Sequence, residues 1–282
     1  MKIKIILFIF FITSCSNQAF NLKKIECNYP IHSPVPGGVI NITILDKKLD
    51  PDLIFVDKKK PYLCKSENGK LHVIYPINLE TKKDVLKVTY DKNQLREIPI
   101  LQKTFRESRI TIANQDLVQA PSKYASRIEK EYFIALKLKN YSSQKINTSF
   151  FMINPIEEGI MSSEYGVRRF INNKPRNRHK GLDIAAPKGT VIHSPLLGKV
   201  IFTGNFYYRG NIIYIDHGEG LISSYSHMDK ILVQEGEIIS AKEIIGTVGE
   251  TGRVTGPHLH WEIYFLGETI DPAIFINSFQ GP

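Results

Sequence analysis

The sequence predicts a mainly β protein: an antiparallel β domain in the C-terminal half, preceded by a small β-sandwich-like domain and one connecting helix. Short runs of β-branched and aromatic residues, separated by turn residues, recur in both halves. Glycine is unevenly spread, since 16 of the 19 glycines lie at or after Gly159. The 282 residues are enough for two domains of ordinary size.

The composition is that of a globular protein, with 42% hydrophobic and 23% charged residues and a net charge of +9. The basic residues are scattered, and aromatic residues are not interleaved with them. The charge therefore does not predict a nucleic-acid binder. A positive surface suits an anionic polymer or an anionic membrane surface.

Residues 1–14 are predicted to be a lipoprotein signal peptide. Two lysines precede the apolar run 5–12, which is shorter than the roughly 20 residues of a spanning helix. The residues that end at Cys15 resemble a bacterial lipobox, and this resemblance implies lipidation of Cys15 and membrane anchoring. Serine rather than aspartate follows, which resembles an outer-membrane signal facing the periplasm. The alternative is a plain signal peptide with an incidental cysteine.

Two further cysteines, Cys27 and Cys64, are predicted to form a disulfide, because an exported protein occupies an oxidising compartment. The bond would close a loop of about 38 residues and stabilise the fold by roughly 3–4 kcal/mol. Two buried free thiols are the alternative.

The N-terminal β domain is predicted over residues 28–103. Glycine-containing turns at 36–38 and 68–69 separate runs that favour strands. These strands are predicted at 39–45, 71–75 and 85–90.

A linker is predicted over 104–150, with one helix at about 121–140. Apolar residues recur there at helical spacing and are expected to form its packing face: Tyr124, Ile128, Tyr132, Ala135 and Leu136. Ser126 followed by Glu129 resembles a capping box.

The C-terminal domain is predicted over 151–282, as short antiparallel strands joined by glycine-rich turns. Strands are predicted at 200–202, 212–215, 244–248 and 259–265.

Six of the eight histidines lie at or after His179. His179 precedes Asp183 by four residues, and His258 precedes His260 by two. In extended backbone, even spacing places side chains on one face. Imidazole and carboxylate groups are good zinc ligands, and the absence of cysteine from this half favours a three-ligand catalytic site over a structural one. Each pair alone is a weak signal.

Several motifs in a fixed order make the signal specific. They lie at 163–168, 179–186, 210–211, 216–218, 225–227, 246–249 and 251–262. Together they resemble the M23 (lysostaphin/LytM-type) zinc metallopeptidase family over about residues 155–275. The resemblance implies an antiparallel β catalytic domain of the M23 type, and the segment before it resembles, more weakly, the β domain of some exported members.

The resemblance also implies roles for individual residues. His179, Asp183 and His260 would bind one Zn²⁺ per chain. His258 would be the general base, and His227 a second catalytic histidine that orients water or stabilises the oxyanion.

The implied function is a zinc endopeptidase that cuts peptide cross-links of bacterial peptidoglycan. A periplasm-facing lipoprotein would meet D-alanyl–diaminopimelate bridges, so D,D-endopeptidase activity is favoured over glycyl-glycine cleavage. The alternative function is a catalytically inactive LytM-type regulator of an amidase. The N-terminal domain or the 121–140 helix could cover the catalytic groove. No protein partner is indicated.

Several other polar residues of this half have less specific expectations. His217 is expected to be a turn or sheet residue, and His193 to lie on the cleft wall or surface. Arg168 and Arg169 are expected to form structural ion pairs, while Asn211 and Tyr225 could line the groove.

Overall fold

The structure, a computed structural model, describes residues 27–46, 48–111, 120–147 and 149–276. The predicted signal peptide and Cys15 lie outside the described residues. Within the described ranges, no helix combines the length and apolar character that crossing a membrane would require.

The N-terminal part consists of six strands in two three-stranded antiparallel sheets. The strands are β1 (Val39–Ile44), β2 (Ile54–Val56), β3 (Tyr62–Lys65), β4 (Leu71–Pro76), β5 (Val85–Tyr90) and β6 (Asn93–Pro99). One sheet has the order β1-β4-β3 and the other β2-β5-β6. Buried aliphatic side chains from both sheets share one core, so the predicted small sandwich is confirmed.

The β1-β4-β3 sheet is buried on both faces. On β4, Val73 packs in the sandwich core, whereas the adjacent Ile74 packs in a second core formed with the C-terminal part. On β3, Tyr62 stacks on Phe150 with ring centroids 4.9 Å apart and meets the ring of Phe265 edge-on. The sandwich and the C-terminal part therefore share one continuous apolar contact.

Cys27 and Cys64 are joined by a disulfide, with their Cα atoms 5.8 Å apart. Both residues are buried, at 2% and 3% exposure, and both belong to the core shared with the C-terminal part. The bond therefore holds the first described residue against β3.

One α-helix, α1 (Ala125–Lys139), lies in the described part of the predicted linker and follows a 3-10 turn at Ser122–Tyr124. The predicted capping box is wrong, because no side chain caps this helix. The 3-10 turn leads directly into the helix, so Ser126 already lies inside the first helical turn.

The packing face of α1 follows the prediction at every position but one, since partial burial is found for Tyr124, Ile128, Ala135 and Leu136. Tyr124 packs on Tyr207, with ring centroids 4.7 Å apart, and Leu138 is buried beside Phe206. Tyr132 is 63% exposed, so its predicted place in the packing face is wrong. The packing face instead passes through the neighbouring Glu131, whose carboxylate accepts the backbone N–H of Tyr207 at 2.7 Å.

The predicted linker also contributes a strand, β7 (Glu107–Ile110). It pairs in parallel with β9 (Arg168–Ile171), which in turn pairs with β10 (Lys174–Pro175). This small sheet brings residues before the helix alongside the segment that leads to His179.

The C-terminal part is built on one large antiparallel sheet, as predicted. Its strands are β8 (Ile160–Ser163), β11 (Leu182–Ala185), β12 (Val191–His193), β13 (Gly198–Phe206), β14 (Gly210–Asp216), β15 (Leu221–Ile231), β16 (Ile238–Ile239), β17 (Ile244–Val248), β18 (His258–Phe265) and β19 (Glu268–Ile270). The main strand order is β16-β13-β14-β15-β18-β11-β8. A 3-10 turn at Pro272–Phe275 follows β19.

Strand β18 separates apolar from polar residues by strict alternation. One face carries four fully buried apolar side chains: Leu259, Trp261, Ile263 and Phe265. The opposite face carries His258, His260, Glu262 and Tyr264. Tyr62 of the sandwich meets Phe265, so this contact lies behind the histidines and does not cover them.

Replacing Cys27 and Cys64 together with alanine is expected to lower the free energy of unfolding by about 3 kcal/mol. The disulfide spans a sequence separation of 37 residues and restricts the unfolded chain accordingly. Denaturant titration measures the difference. Reducing the wild type with TCEP should produce a similar loss and leave the double variant unchanged. If TCEP left the denaturation midpoint of the wild type unchanged, the result would contradict the expectation.

Candidate metal centre

The pairing of β11 with β18 brings two of the predicted ligands together. Asp183 lies directly opposite His260, and Ala185 lies opposite His258. The carboxylate oxygen Oδ1 of Asp183 is 2.6 Å from Nδ1 of His260. The predicted ligands therefore meet across two strands separated by a long stretch of sequence.

His179 completes the cluster from the segment just before β11. Its Nε2 atom is 2.9 Å from Oδ1 of Asp183 and 3.1 Å from Nδ1 of His260. Gly181 allows this segment to lie against β18, because a Cβ there would be only 2.4 Å from the carbonyl oxygen of Trp261. The three ligand atoms lie within 4.8 Å of one another.

Hydrogen bonds on the far side of each imidazole determine which nitrogen faces the cluster. Nδ1 of His179 donates to the carbonyl oxygen of Glu164 at 2.8 Å, which leaves the Nε2 lone pair inside. Nε2 of His260 donates to Oε1 of Glu262 at 3.1 Å, which leaves the Nδ1 lone pair inside. Two imidazole lone pairs and a carboxylate oxygen thus converge on one point.

The electrostatics of the cluster favour a positive charge. Burial lowers the pKa of His260, but its contacts with Asp183 and Glu262 outweigh burial and raise that pKa to about 9, so the Nδ1 lone pair is a favourable place for a cation, whether a proton or a metal ion. Burial opposes ionisation of Asp183, yet its hydrogen bonds to His179 and His260 hold the pKa of its carboxyl well below the usual range. Two imidazole nitrogens and one carboxylate fit zinc, whose catalytic sites use three protein ligands.

A buried charged network supports His260 from behind. Glu262, at 2% exposure, forms a two-pronged ion pair with Arg209, in which Nη2 and Oε1 are 3.1 Å apart. The hydroxyl of Tyr264 also donates to Glu262. This network is not predicted by the sequence motifs, although the two-residue steps from His260 to Glu262 and on to Tyr264 place all three side chains on one face of the strand.

His227 reaches the cluster through an irregularity in β15. Opposite β14, two residues of β15 face a single residue, which is a β-bulge, and the backbone of His227 has a φ of 64°. Asn211 holds the bulge, because its Nδ2 atom donates to the carbonyl oxygen of Met228 at 3.0 Å. Such left-handed backbone is uncommon outside glycine and concentrates at functional sites.

His227 and His258 both direct Nε2 toward the cluster, because Nδ1 of each is engaged elsewhere. Nδ1 of His227 donates to the carbonyl oxygen of Thr251 at 2.8 Å, and Nδ1 of His258 donates to that of Gly256 at 2.9 Å. Their ring centroids are 4.8 Å apart, and Nε2 of His258 is 3.9 Å from Oδ1 of Asp183. Burial, followed by the charge of His260, lowers the pKa of His227 to about 3, so this imidazole is neutral at neutral pH with a lone pair on Nε2.

The two remaining histidines of the C-terminal half make structural contacts. His217 is fully buried between the carbonyl oxygen of Leu197 and the hydroxyl of Ser223, and burial lowers its pKa to about 4. His193 lies half-buried on β12, and its Nδ1 atom donates to the carbonyl oxygen of Lys242.

Three other residues also acquire definite places. Arg168 forms an ion pair with Glu107, and Arg169 lies 3.1 Å from Oδ2 of Asp183, at the cluster itself. Tyr225 is fully buried in the core, so it does not line a groove.

Comparison with known proteins agrees with this geometry. Residues 177–272 match the model of peptidase family M23. The chain carries a peptidase family M23 domain. The family resemblance predicted from the sequence motifs is confirmed for this domain.

Two curated relatives align with parts of this chain. The peptidoglycan DD-endopeptidase ShyA of Vibrio cholerae is 43% identical over 93 residues, which cover 33% of this chain and 22% of ShyA. The uncharacterized lipoprotein YgeR of Escherichia coli is 38% identical over 99 residues, which cover 35% of this chain and 39% of YgeR. The alignments thus span less than half the length of these relatives.

A solved structure from Pseudomonas aeruginosa, assigned to peptidase M23, resembles the chain over most of its length. It superposes with a TM-score of 0.69 at 28% identity and covers 90% of this chain and 99% of that one. The likeness therefore includes the N-terminal sandwich as well as the M23 domain.

Glu262→Gln is expected to weaken zinc affinity about 10- to 100-fold, because the neutral amide no longer holds the Nε2–H of His260 by charge. Competition with a chromophoric chelator measures the dissociation constant. Glu97→Gln removes an exposed carboxylate on β6 and is the matched control. In this variant Arg209 faces a neutral amide in place of a carboxylate, which could destabilise the fold. Circular dichroism at the titration temperature therefore verifies that the variant is folded. Equal affinity in the folded variant and the wild type would contradict the role given to Glu262.

Proposed function

We propose that the protein is a zinc-dependent endopeptidase that hydrolyses peptide cross-links of bacterial peptidoglycan. We infer D,D-endopeptidase action on D-alanyl–diaminopimelate bridges. The observation that carries the proposal is the cluster of His179, Asp183 and His260, with His227 and His258 beside it. The name of ShyA, a peptidoglycan DD-endopeptidase, supports the substrate class.

His179, Asp183 and His260 would hold the zinc ion through Nε2, a carboxylate oxygen and Nδ1. When bound, zinc supplies a Lewis acid that polarises a carbonyl group and lowers the pKa of water toward about 7. Glu164 and Glu262 keep the two imidazoles in the required tautomers.

We assign the role of general base to His258. Its Nδ1–H is engaged by the carbonyl oxygen of Gly256, so Nε2 is the free acceptor. That atom can take a proton from the attacking water and, once protonated, give it to the leaving nitrogen.

His227 is assigned to orienting the attacking water. An oxyanion would need a donor from Nε2, whereas the neutral imidazole, with its proton on Nδ1, offers an acceptor there. Of the two roles predicted from the sequence, this tautomer favours the first.

Two alternatives, an inactive regulator of an amidase and a glycyl-glycine endopeptidase, have less support. An inactive regulator would not need three converging metal-ligand atoms or the two neighbouring histidines, and all five residues are present. Glycyl-glycine cleavage uses the same machinery and is distinguished by the products released.

Protein spanning residues 16–282 is expected to bind about one zinc ion and to release monomers from cross-linked muropeptide dimers. His258→Ala should keep the metal but lose about 10²- to 10⁴-fold in turnover, because only proton transfer is removed. His260→Ala should lose both metal and activity. Metal analysis and chromatography with mass spectrometry of the products provide the measurements.

His193→Ala, which removes an imidazole outside the cluster, is the control and should match the wild type. Full activity in His260→Ala would overturn the metal assignment. A wild type that binds zinc and cleaves no cross-link would support the regulator, and cleavage confined to glycine bridges would overturn the bond proposed here.

We further propose that the protein is exported and anchored by lipid at Cys15 in the outer membrane, facing the periplasm. The lipobox-like sequence motivates this proposal, and the name of YgeR, a lipoprotein, supports it. Cys15→Ser should move the protein from the membrane fraction to the soluble periplasmic fraction. Metabolic labelling with a fatty-acid analogue should mark the wild type and not the variant. A membrane-bound Cys15→Ser protein would contradict anchoring by this residue.

A further inference from the structure

We infer that Arg176 and Arg253 form a binding subsite for a carboxylate of the peptide substrate, next to the bond that is cut. The inference rests on the proposed function and specifies which substrate group is recognised.

Arg253 stands on the His227 side of the cluster, in the connection between β17 and β18. Its backbone N–H donates to the carbonyl oxygen of Tyr208 at 3.0 Å, and its guanidinium carbon lies 4.3 Å from the centre of the Tyr208 ring. Two residues earlier, Thr251 accepts the hydrogen bond from Nδ1 of His227. The stacked ring therefore orients an exposed guanidinium beside a candidate catalytic histidine.

Arg176 stands on the His179 side. It follows β10, and its backbone N–H donates to the carbonyl oxygen of Arg169 at 2.8 Å, so the two residues are cross-strand neighbours. Arg169 contacts Oδ2 of Asp183, and Arg176 precedes His179 by three residues. The hairpin formed by β9 and β10 thus carries a second exposed guanidinium to the edge of the cluster.

The two sides flank the same cluster. Thr251 holds His227, whose ring centroid is 6.0 Å from that of His260, and Arg169, the neighbour of Arg176, contacts Asp183. Partial burial, and then the positive charges of Arg176 and Arg169, lower the pKa of Arg253. Guanidinium groups from two different loops are therefore concentrated at one edge of the site. Like charges held this close repel, and a bound anion would relieve the repulsion.

The neighbouring arginines differ because carboxylates already neutralise them. Arg106 pairs with Glu164, Arg109 and Arg168 both pair with Glu107, and Arg178 pairs with Glu80. Within the described part of the chain, neither Arg176 nor Arg253 has a carboxylate at ion-pair distance. Among the arginines near the cluster in the described part of the chain, the positive charge that lacks a carboxylate partner thus lies on Arg176 and Arg253.

The proposed substrate supplies a matching anion. Diaminopimelate cross-linked through an amino group keeps a free carboxylate on the carbon that bears this nitrogen. A negative charge therefore lies one carbon away from the scissile amide nitrogen. Guanidinium groups match the planar geometry of a carboxylate, and a contact made beside the reacting bond helps to position it.

The experiment compares two synthetic cross-linked peptide dimers that differ only at this carboxylate, which is free in one and a carboxamide in the other. Zinc-loaded protein spanning residues 16–282 should cleave the carboxylate substrate with roughly tenfold higher kcat/KM, as expected for one charge-assisted contact. Arg253→Gln and Arg176→Gln should each lower kcat/KM for that substrate and leave the carboxamide substrate unaffected. Arg253→Lys should recover only part of the preference.

Arg96→Gln removes one exposed positive charge on β6 of the sandwich and is the matched control, with the full preference expected. Zinc content and thermal midpoint verify that each variant is folded and loaded. A wild type that cuts both substrates equally, or an Arg176→Gln/Arg253→Gln double variant that retains the preference, would overturn the subsite and leave the proposed function standing. If the wild type cuts neither dimer, the proposed function fails and the subsite fails with it.

Discussion

The antiparallel pairing of β11 with β18 is the constraint on which the site depends. It places Asp183 opposite His260 and Ala185 opposite His258, so a shift of one residue in this register would separate Asp183 from His260. The same register turns the apolar side chains of β18 toward the core. Burial of that apolar face therefore selects the register that also assembles the polar cluster on the other side.

The polar side chains of β18 lie in different environments along the strand. Tyr264 lies beneath α1, Glu262 is buried against Arg209, and the two histidines follow toward the strand's start. Burying an ion pair carries a desolvation penalty that an apolar pair would avoid. The ion pair of Glu262 with Arg209 fixes the Glu262 carboxylate as a hydrogen-bond acceptor for His260. The cost in folding free energy is thus accompanied by a defined orientation of one imidazole.

Local patterns were sufficient to predict much of this molecule. Strands such as 85–90 and the even spacing of His258 and His260 depend on periodicity, which a sequence displays directly. The exposed ring of Tyr132, the uncapped start of α1 and the two-sided burial of Ile74 and Val73 depend on neighbours that are distant in sequence. The ion pair of Arg209 with Glu262 could not be predicted for the same reason, since these residues lie 53 positions apart on different segments.

The distance in sequence between Asp183 and His260 has a consequence for folding. These residues are 77 positions apart, and they meet only when β18 pairs with β11. Without β18, the chain has two of the three candidate metal ligands and a core that lacks Trp261 and Phe265. One strand therefore completes the metal-binding set and the hydrophobic core in the same docking event.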